Sequence, residues 1–363
     1  MNTKINVTKS PKVLFILKYR ENNWGDYGQG DGKGLSSGLL NSAKFVSQML
    51  IDNGVESKLV QVLDNNCIDK EVNLYKPTHV IIEAYWCVAE KFEILTKLHP
   101  NVIWIIRNHS EIPFLANEGI AIEWSKKYVK YKNVYVSCNN SRCLKAFDIF
   151  LDPTKNVYLP NFYPVSGKTS RITGLLEMLK SRNIKKNIPL HIACSGAIRP
   201  LKNQLLQAIA ALQVAKELGR KLYFHINASR IEMNSNSILK NLQALFFENP
   251  NGELVEQGWK DHENFKEVLK TMDAVMQVSY TETFNIVGAD AVDVGIPLVA
   301  SSEIEWSDKR LNADFNDLDD IIAKLKIAIC GNYSPTYART LLKDHVAPVF
   351  HQWKRVLDKT LVK

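Results

Sequence analysis

A chain of 363 residues is longer than one hydrophobic core usually organises, and domains of roughly 100–200 residues make two domains the natural expectation. With 45% hydrophobic and 23% charged residues the composition is that of a folded globular protein; no run reaches the roughly 18 uncharged apolar residues of a membrane span, and residues 1–12 lack an apolar signal core, so a cytoplasmic location without integral membrane association is expected. The net charge of +8 favours an anionic partner such as a nucleotide, nucleic acid or acidic membrane surface, while Cys67, Cys87, Cys138, Cys143, Cys194 and Cys330 lack metal-ligand spacing and read as reduced thiols.

Val13–Leu17 is an apolar run of strand length, followed by a Gly-rich polar loop over Glu21–Gly34 that contains Gly28, Gly30, Gly32 and Gly34. Leu39, Ala43, Val46 and Leu50 then recur at helical spacing up to Gly54, and Lys58–Leu63 reads as a second strand. Further strands are expected at His79–Ala84, Val102–Ile106 and Val134–Val136 with helices between them, the pattern of a parallel doubly wound domain. Tyr158–Pro164 breaks the alternation, and the polar, basic stretch Ser166–Asn187 marks the boundary. Beyond it the pattern resumes, with strands at Leu190–Cys194, Leu222–Ile226, Glu253–Glu256, Ala274–Val278 and Leu298–Ala300 and a helix over Gln204–Leu218. Two Rossmann-like α/β domains follow, residues 1–165 and 166–340, with a closing helical segment in 341–363. Ligands of such sheets bind where strands end, which directs attention to the loops after Leu17, Ile106, Cys194 and Val278.

After the last of these comes Ser279-Tyr-Thr-Glu-Thr-Phe-Asn-Ile-Val-Gly-Ala-Asp290, then Gly295 and Pro297. Thr283 is expected to cap a helix running to Gly295, leaving the amides of Phe284, Asn285 and Ile286 facing a diphosphate at a positive helix end. Glu282 just before the helix suits sugar hydroxyls, and Asp290 lies about two turns further on. This segment resembles the signature of the retaining GT-B glycosyltransferases of the large family four, in which an acid, seven residues and a second acid precede a Gly-x-Pro turn. The resemblance gives Glu282 the donor sugar hydroxyls and Asp290, in place of the usual Glu, the nucleotide ribose.

Further segments carry the same resemblance. Ser195-Gly196-Ala-Ile-Arg199-Pro-Leu-Lys202 is similar to the family's diphosphate-binding loop, which assigns the donor phosphates to Lys202 and, because Ala197 occupies the usual Arg position, to Arg199. Gly258 and Trp259 fall on the loop that cradles the nucleotide base, and Arg107-Asn108-His109 on the loop whose His touches the donor sugar. Leu159-Pro-Asn161 resembles a short motif near the interdomain crossing. Gly32 and Gly34, with Arg107 and Asn108, are expected on the acceptor side. The resemblance implies a GT-B fold whose two domains face a cleft, a closing helix around Val346–Leu357 that crosses back to the first domain, a nucleotide-sugar donor (a UDP-sugar), transfer with retention, and no essential metal or other cofactor. Asp317-Leu-Asp319 is read as acids at a helix start.

Overall similarity is closest to bacteriophage-encoded glycosyltransferases, which points to a hydroxymethylated pyrimidine in double-stranded phage DNA as acceptor and to the infected host's cytoplasm. Lys126, Lys127, Lys130, Lys132, Lys180, Arg182, Lys185 and Lys186 would serve phosphate contacts. The alternatives are a polysaccharide or lipid-linked acceptor, for which the basic face would meet an anionic membrane although no docking helix is conspicuous in the sequence, and a non-catalytic DNA- or nucleotide-binding protein of the same fold.

Overall fold

A computed structural model describes residues 10–18, 38–179, 188–233 and 235–361. The chain divides into two compact units, one built from the residues up to Tyr163 that flank the Gly-rich segment together with the C-terminal stretch from Val346, the other from Pro164–His345. The Gly-rich loop, with Gly28, Gly30, Gly32 and Gly34, and the basic residues Lys180, Arg182, Lys185 and Lys186 lie outside the described residues.

The first unit runs β1 (Lys12–Lys18), α1 (Gly38–Asp52), β2 (Glu56–Val62), α2 (Ile68–Tyr75), β3 (His79–Glu83), α3 (Phe92–Leu98), β4 (Ile103–Asn108), α4 (Ile112–Leu115), α5 (Ala121–Tyr128), β5 (Val134–Cys138), α6 (Ser141–Asp148) and β6 (Asn156–Tyr158). All six strands pair in parallel in the order β2-β1-β3-β4-β5-β6. Strands β1, β3, β4 and β5 are almost wholly buried, as a sheet covered on both faces requires, which explains their continuous Val/Ile runs. Phe92, Trp104 and Tyr128 interlock edge-to-face in the core on one side of this sheet.

The second unit contains α7 (Arg171–Met178), β7 (Leu190–Ala193), α8 (Gln204–Glu217), β8 (Leu222–Asn227), α9 (Asn236–Phe246), β9 (Gly252–Gln257), α10 (His262–Leu269), β10 (Ala274–Gln277), α11 (Ile286–Val294), β11 (Leu298–Ala300), α12 (Leu318–Cys330) and α13 (Pro335–Val346). Its five strands are parallel in the order β11-β10-β7-β8-β9. The strand order therefore reverses between β7 and β10, the place where a doubly wound sheet leaves a crevice at its carboxyl edge. The last helix, α14 (Val349–Leu361), groups with the first unit, where Trp353 donates from Nε1 to the Pro160 carbonyl at 2.9 Å.

Three local expectations change. The basic stretch read as a boundary holds a helix, α7, because Ser170 caps it by accepting from the Thr173 amide at 3.2 Å. The edge strand β6 lies where the sequence shows no apolar run; its three residues are too few for a pattern. The expected closing helix over Val346–Leu357 corresponds to α14, which starts later, at Val349, because Val346 ends α13 and Pro348, which cannot supply the N–H a continuous helix needs, divides the two. Asp317 is the N-cap of α12 and accepts from the amides of Asp319 and Asp320, so that acidic cluster is a helix start.

Candidate active site

The loops leaving β7 and β10 in the second unit are bound to each other. After β7 the chain makes a short turn over Pro200–Lys202 and stops at Asn203, whose φ of 55° is left-handed. The Asn203 amide Nδ2 donates to the carbonyls of Val278 at 3.2 Å and Phe315 at 2.9 Å. Gln207, one turn into α8, donates to the Lys202 carbonyl at 2.7 Å and accepts from the Val278 amide at 2.8 Å, and the Tyr280 amide donates to the Leu201 carbonyl at 3.0 Å. These bonds fix the backbone on which the charged side chains stand.

Lys202 and Glu282 meet there. The Lys202 ammonium donates to Glu282 at 2.5 Å and to Gln277 Oε1 at 3.2 Å. Burial alone would push the Glu282 pKa up, but the charges of Lys202 and Arg199 and the hydrogen bonds it accepts outweigh burial and hold it below the ordinary glutamate value. Arg199 is thus close enough to act on Glu282, although its own ion pair, at 3.6 Å, is with Glu232. Lys202 and Glu282 therefore share one buried spot at the strand-order reversal, with the half-buried Arg199 near it.

Gln277, which no motif announced, joins the pieces. Fully inside at the end of β10, it donates to the Ser195 carbonyl at 2.9 Å and accepts from Lys202 and from Asn285 Nδ2, the latter at 2.9 Å. A single Gln in an apolar strand carries no sequence signal; only its neighbours reveal it. Gly196 sits beside this network, with its amide donating to Asn227 Oδ1 at 2.9 Å.

The helix after Glu282 starts later than expected. Asn285, not Thr283, is the N-cap of α11; it accepts from the Gly288 amide at 2.7 Å with a left-handed φ of 65°. Asn tolerates that conformation and carries a short acceptor, whereas β-branched Thr does not favour it. The helix start therefore presents Ile286 and Val287, and the Phe284 side chain is core, packed at a tilt against Trp306, whose Nε1 donates to the Phe284 carbonyl at 2.7 Å. Gly295 closes α11 with φ 92°, the conformation that places Gly at a helix end.

Asp290, in the second turn of α11, is buried and accepts from His262 Nε2 at 2.6 Å. Burial disfavours protonation of His262, but the bond to Asp290 and its charge prevail and raise the pKa. His262 opens α10, so the imidazole stands at the carboxyl edge of the sheet, beyond the loop of Gly258 and Trp259. Gly258 is exposed; Trp259 is half-buried, held by its amide to Ser229 Oγ at 3.0 Å and covered by the Arg230 guanidinium at 5.0 Å from the ring centroid.

In the first unit, His109 follows β4 and its Nε2 bonds to Glu83, the last residue of β3. Burial, reinforced by Arg107, lowers the His109 pKa despite the adjacent carboxylate. Glu83 stays ionised because Arg107 and then His109 overcome the burial that would raise its pKa. A carboxylate only accepts, so Nε2 carries the proton and the neutral tautomer leaves Nδ1 as an acceptor. Two acceptor-side expectations are corrected here. Arg107 is fully buried and braces the loop before α7, donating to Glu83, to the carbonyls of Leu159 and Pro160 at 3.3 Å each, and to Asn161 at 2.5 Å. Asn108 is also inside, donating to the Ser110 carbonyl at 2.8 Å and to Cys143 at 3.2 Å. Neither side chain presents a polar surface to an acceptor, because a strand terminus buried on both sides must consume its own polar groups.

No protein-family model and no curated protein sequence matches the chain. Solved structures do. HepE of Anabaena in complex with UDP and glucose superposes with a TM-score of 0.63 at 11% identity, over 96% of this chain and 99% of HepE. The fold is GT-B. The UDP-forming α,α-trehalose-phosphate synthase of Burkholderia vietnamiensis shares this GT-B architecture, with a TM-score of 0.61 at 10% identity over 98% and 96% of the two chains. A mutant of S. aureus TarM, in complex with fondaparinux, α-GlcNAc-glycerol and UDP, matches at 0.53 and 14% identity over 77% of this chain and 55% of its own. Among the described residues of this GT-B chain, no group of three His, Cys, Asp or Glu side chains is placed to hold a metal ion, and no helix is long and apolar enough to cross a membrane.

Proposed function

We propose that the protein transfers a sugar from a UDP-sugar to a hydroxyl of a carbohydrate or lipid-linked sugar acceptor, with retention at the anomeric carbon. The observation that supports this most is the buried pair of Lys202 and Glu282, with the half-buried Arg199 near it, beside the start of α11 on a GT-B sheet at its order reversal. The related folds with bound ligands hold UDP or a UDP-sugar.

Lys202 and Arg199 serve the donor diphosphate and stabilise the charge that grows on it as it departs. An ammonium has three N–H bonds; two are directed at Glu282 and Gln277, and the third suits a phosphate oxygen. Glu282, held ionised, accepts from donor sugar hydroxyls. The bond from the anomeric carbon to the phosphate breaks, the acceptor oxygen bonds to that carbon on the same face, and the acceptor proton passes to the departing phosphate. For His109, in the first unit, the role we propose is a contact to a sugar hydroxyl. The pair His262 and Asp290 serves the nucleoside: Asp290 reaches the sheet edge through the imidazole, which offsets its short arm. Gly196, Gly258, Trp259 and the α11 start at Ile286 complete the donor side.

The acceptor assignment departs from the DNA expectation. The compared proteins carry sugars or make trehalose phosphate. Of the basic residues set aside for DNA, Lys127 is tied to Glu90 and Glu123 at 2.8 and 2.7 Å. The test incubates the protein with UDP-sugars and three acceptor sets: phosphorylated or free sugars, lipid-linked sugars, and hydroxymethylated DNA. UDP release that rises with a carbohydrate acceptor is expected, and it should fall by about a hundredfold or more in Lys202→Ala and Glu282→Gln. Full activity in both variants would refute the site; sugar added to DNA alone would refute the acceptor.

A further inference from the structure

The loop after β8 carries charge that no sequence motif marks. Because β8 lies between β7 and β9 in a parallel sheet, this loop stands between the one that holds Arg199 and the one that holds Trp259. It is bonded to both. Toward β7, the Ile198 amide donates to the Arg230 carbonyl and the Glu232 amide to the Ile198 carbonyl, each at 2.9 Å, so Ile198 and Ile231 form a parallel bridge next to Arg199. Toward β9, Ser229 Oγ accepts from the Trp259 amide at 3.0 Å, and the Arg230 guanidinium covers the Trp259 ring.

Glu232 ties the side chains of these loops together. Its Oε1 pairs with Arg230 at 2.6 Å and its Oε2 lies 3.6 Å from Arg199, all three side chains being partly buried. The shorter pair and the backbone bridge fix the carboxylate, and the longer contact then restrains the Arg199 guanidinium by charge. A carboxylate that competed with phosphate would take hydrogen bonds from that guanidinium; 3.6 Å is too long for one, which leaves positioning. A long side chain loses rotamer freedom when it meets an anion, and a neighbour that fixes the rotamer beforehand removes part of that loss.

We infer that Glu232 is a positioning residue for the donor diphosphate, holding Arg199 from a loop that Ser229 and Arg230 lock to Trp259. The inference rests on the transferase reading, in which Arg199 meets that diphosphate.

The test titrates the full chain with UDP by calorimetry. Glu232→Gln keeps the size of the side chain and an acceptor for Arg230 and removes the charge; it should weaken UDP binding about tenfold. In a chain that already carries Arg199→Ala, the same substitution should change UDP affinity by less than about twofold, because its effect runs through Arg199. Uridine, which has no phosphate, should bind wild type and Glu232→Gln alike in saturation-transfer NMR, a comparison that needs no second substitution. Losses that add in the double variant, a parallel loss of uridine, or tighter UDP binding by Glu232→Gln would each overturn the inference. UDP binding that Lys202→Ala abolishes and Glu232→Gln leaves unchanged would overturn it with the transferase reading intact. A wild type that binds no UDP would refute that reading, and the inference with it.

Discussion

Glu83 shows how one side chain can matter to stability and to a site together. It is fully buried between Arg107 and His109, and no sequence motif marks it. Removing one partner of a buried ion pair leaves the other charge uncompensated, at a cost of about 3–5 kcal/mol. Glu83→Gln should therefore lower the unfolding free energy by roughly that amount in urea titrations, far more than Glu90→Gln, whose partner Lys127 is partly solvated. An equal, small effect for both would mean that Arg107 is not held by charge. Lys202, Arg199 and Glu282 were legible because each stands in a loop at a strand end with a recognisable spacing. Glu83, Gln277 and His262 were not, since each acts through a neighbour distant in sequence.

At the scale of elements, periodicity located strands well wherever burial on both faces forced a run of branched apolar residues. Expected Val13–Leu17, Leu222–Ile226 and Leu298–Ala300 differ from β1, β8 and β11 by no more than a residue at either end. Helix starts depend on backbone dihedrals instead, and there the cap of α11 moved from Thr283 to Asn285. A left-handed Asn cap combines two contributions that substitution can separate. Asn285→Ala loses the bonds to Gly288 and Gln277 and strains φ; Asn285→Gly loses the same two bonds without the strain and should cost about 1–2 kcal/mol less. Thermal melts of both variants check this, and equal losses would show that the backbone strain is negligible.

The whole molecule carries an acid sensitivity written into both units. His79 in the first unit and His225 in the second are buried, and burial pushes both pKa values down to about 4. His79 lies between the hydroxyls of Thr78 and Thr360, at 2.9 and 2.8 Å, which a neutral ring satisfies as donor and acceptor. The unfolded chain binds protons near pH 6.5 and the folded chain only near 4, so stability is full above the first value and declines as pH falls toward the second. Each group contributes of the order of 3 kcal/mol to that decline. His262 has the opposite sign: its raised pKa adds stability at low pH that is lost as pH rises through the raised value. Urea midpoints should fall from about pH 6.5 to 4 in the wild type and fall less steeply in His79→Asn, and a slope unchanged by that substitution would assign the acid sensitivity elsewhere.

The sequence by itself determined the alternation of strands and helices, the presence of two Rossmann-like sheets and the strand-end loops in which the candidate site residues stand, because hydrophobic period and turn residues are local properties. Tertiary structure alone decided which side chains face one another. It joined Lys202 to Glu282 across eighty positions, turned Arg107 and Asn108 inward, gave Asp290 to His262, and set Glu232 between Arg199 and Arg230. Those outcomes follow from strand order and packing, which bring distant residues to one sheet edge and which no local pattern encodes.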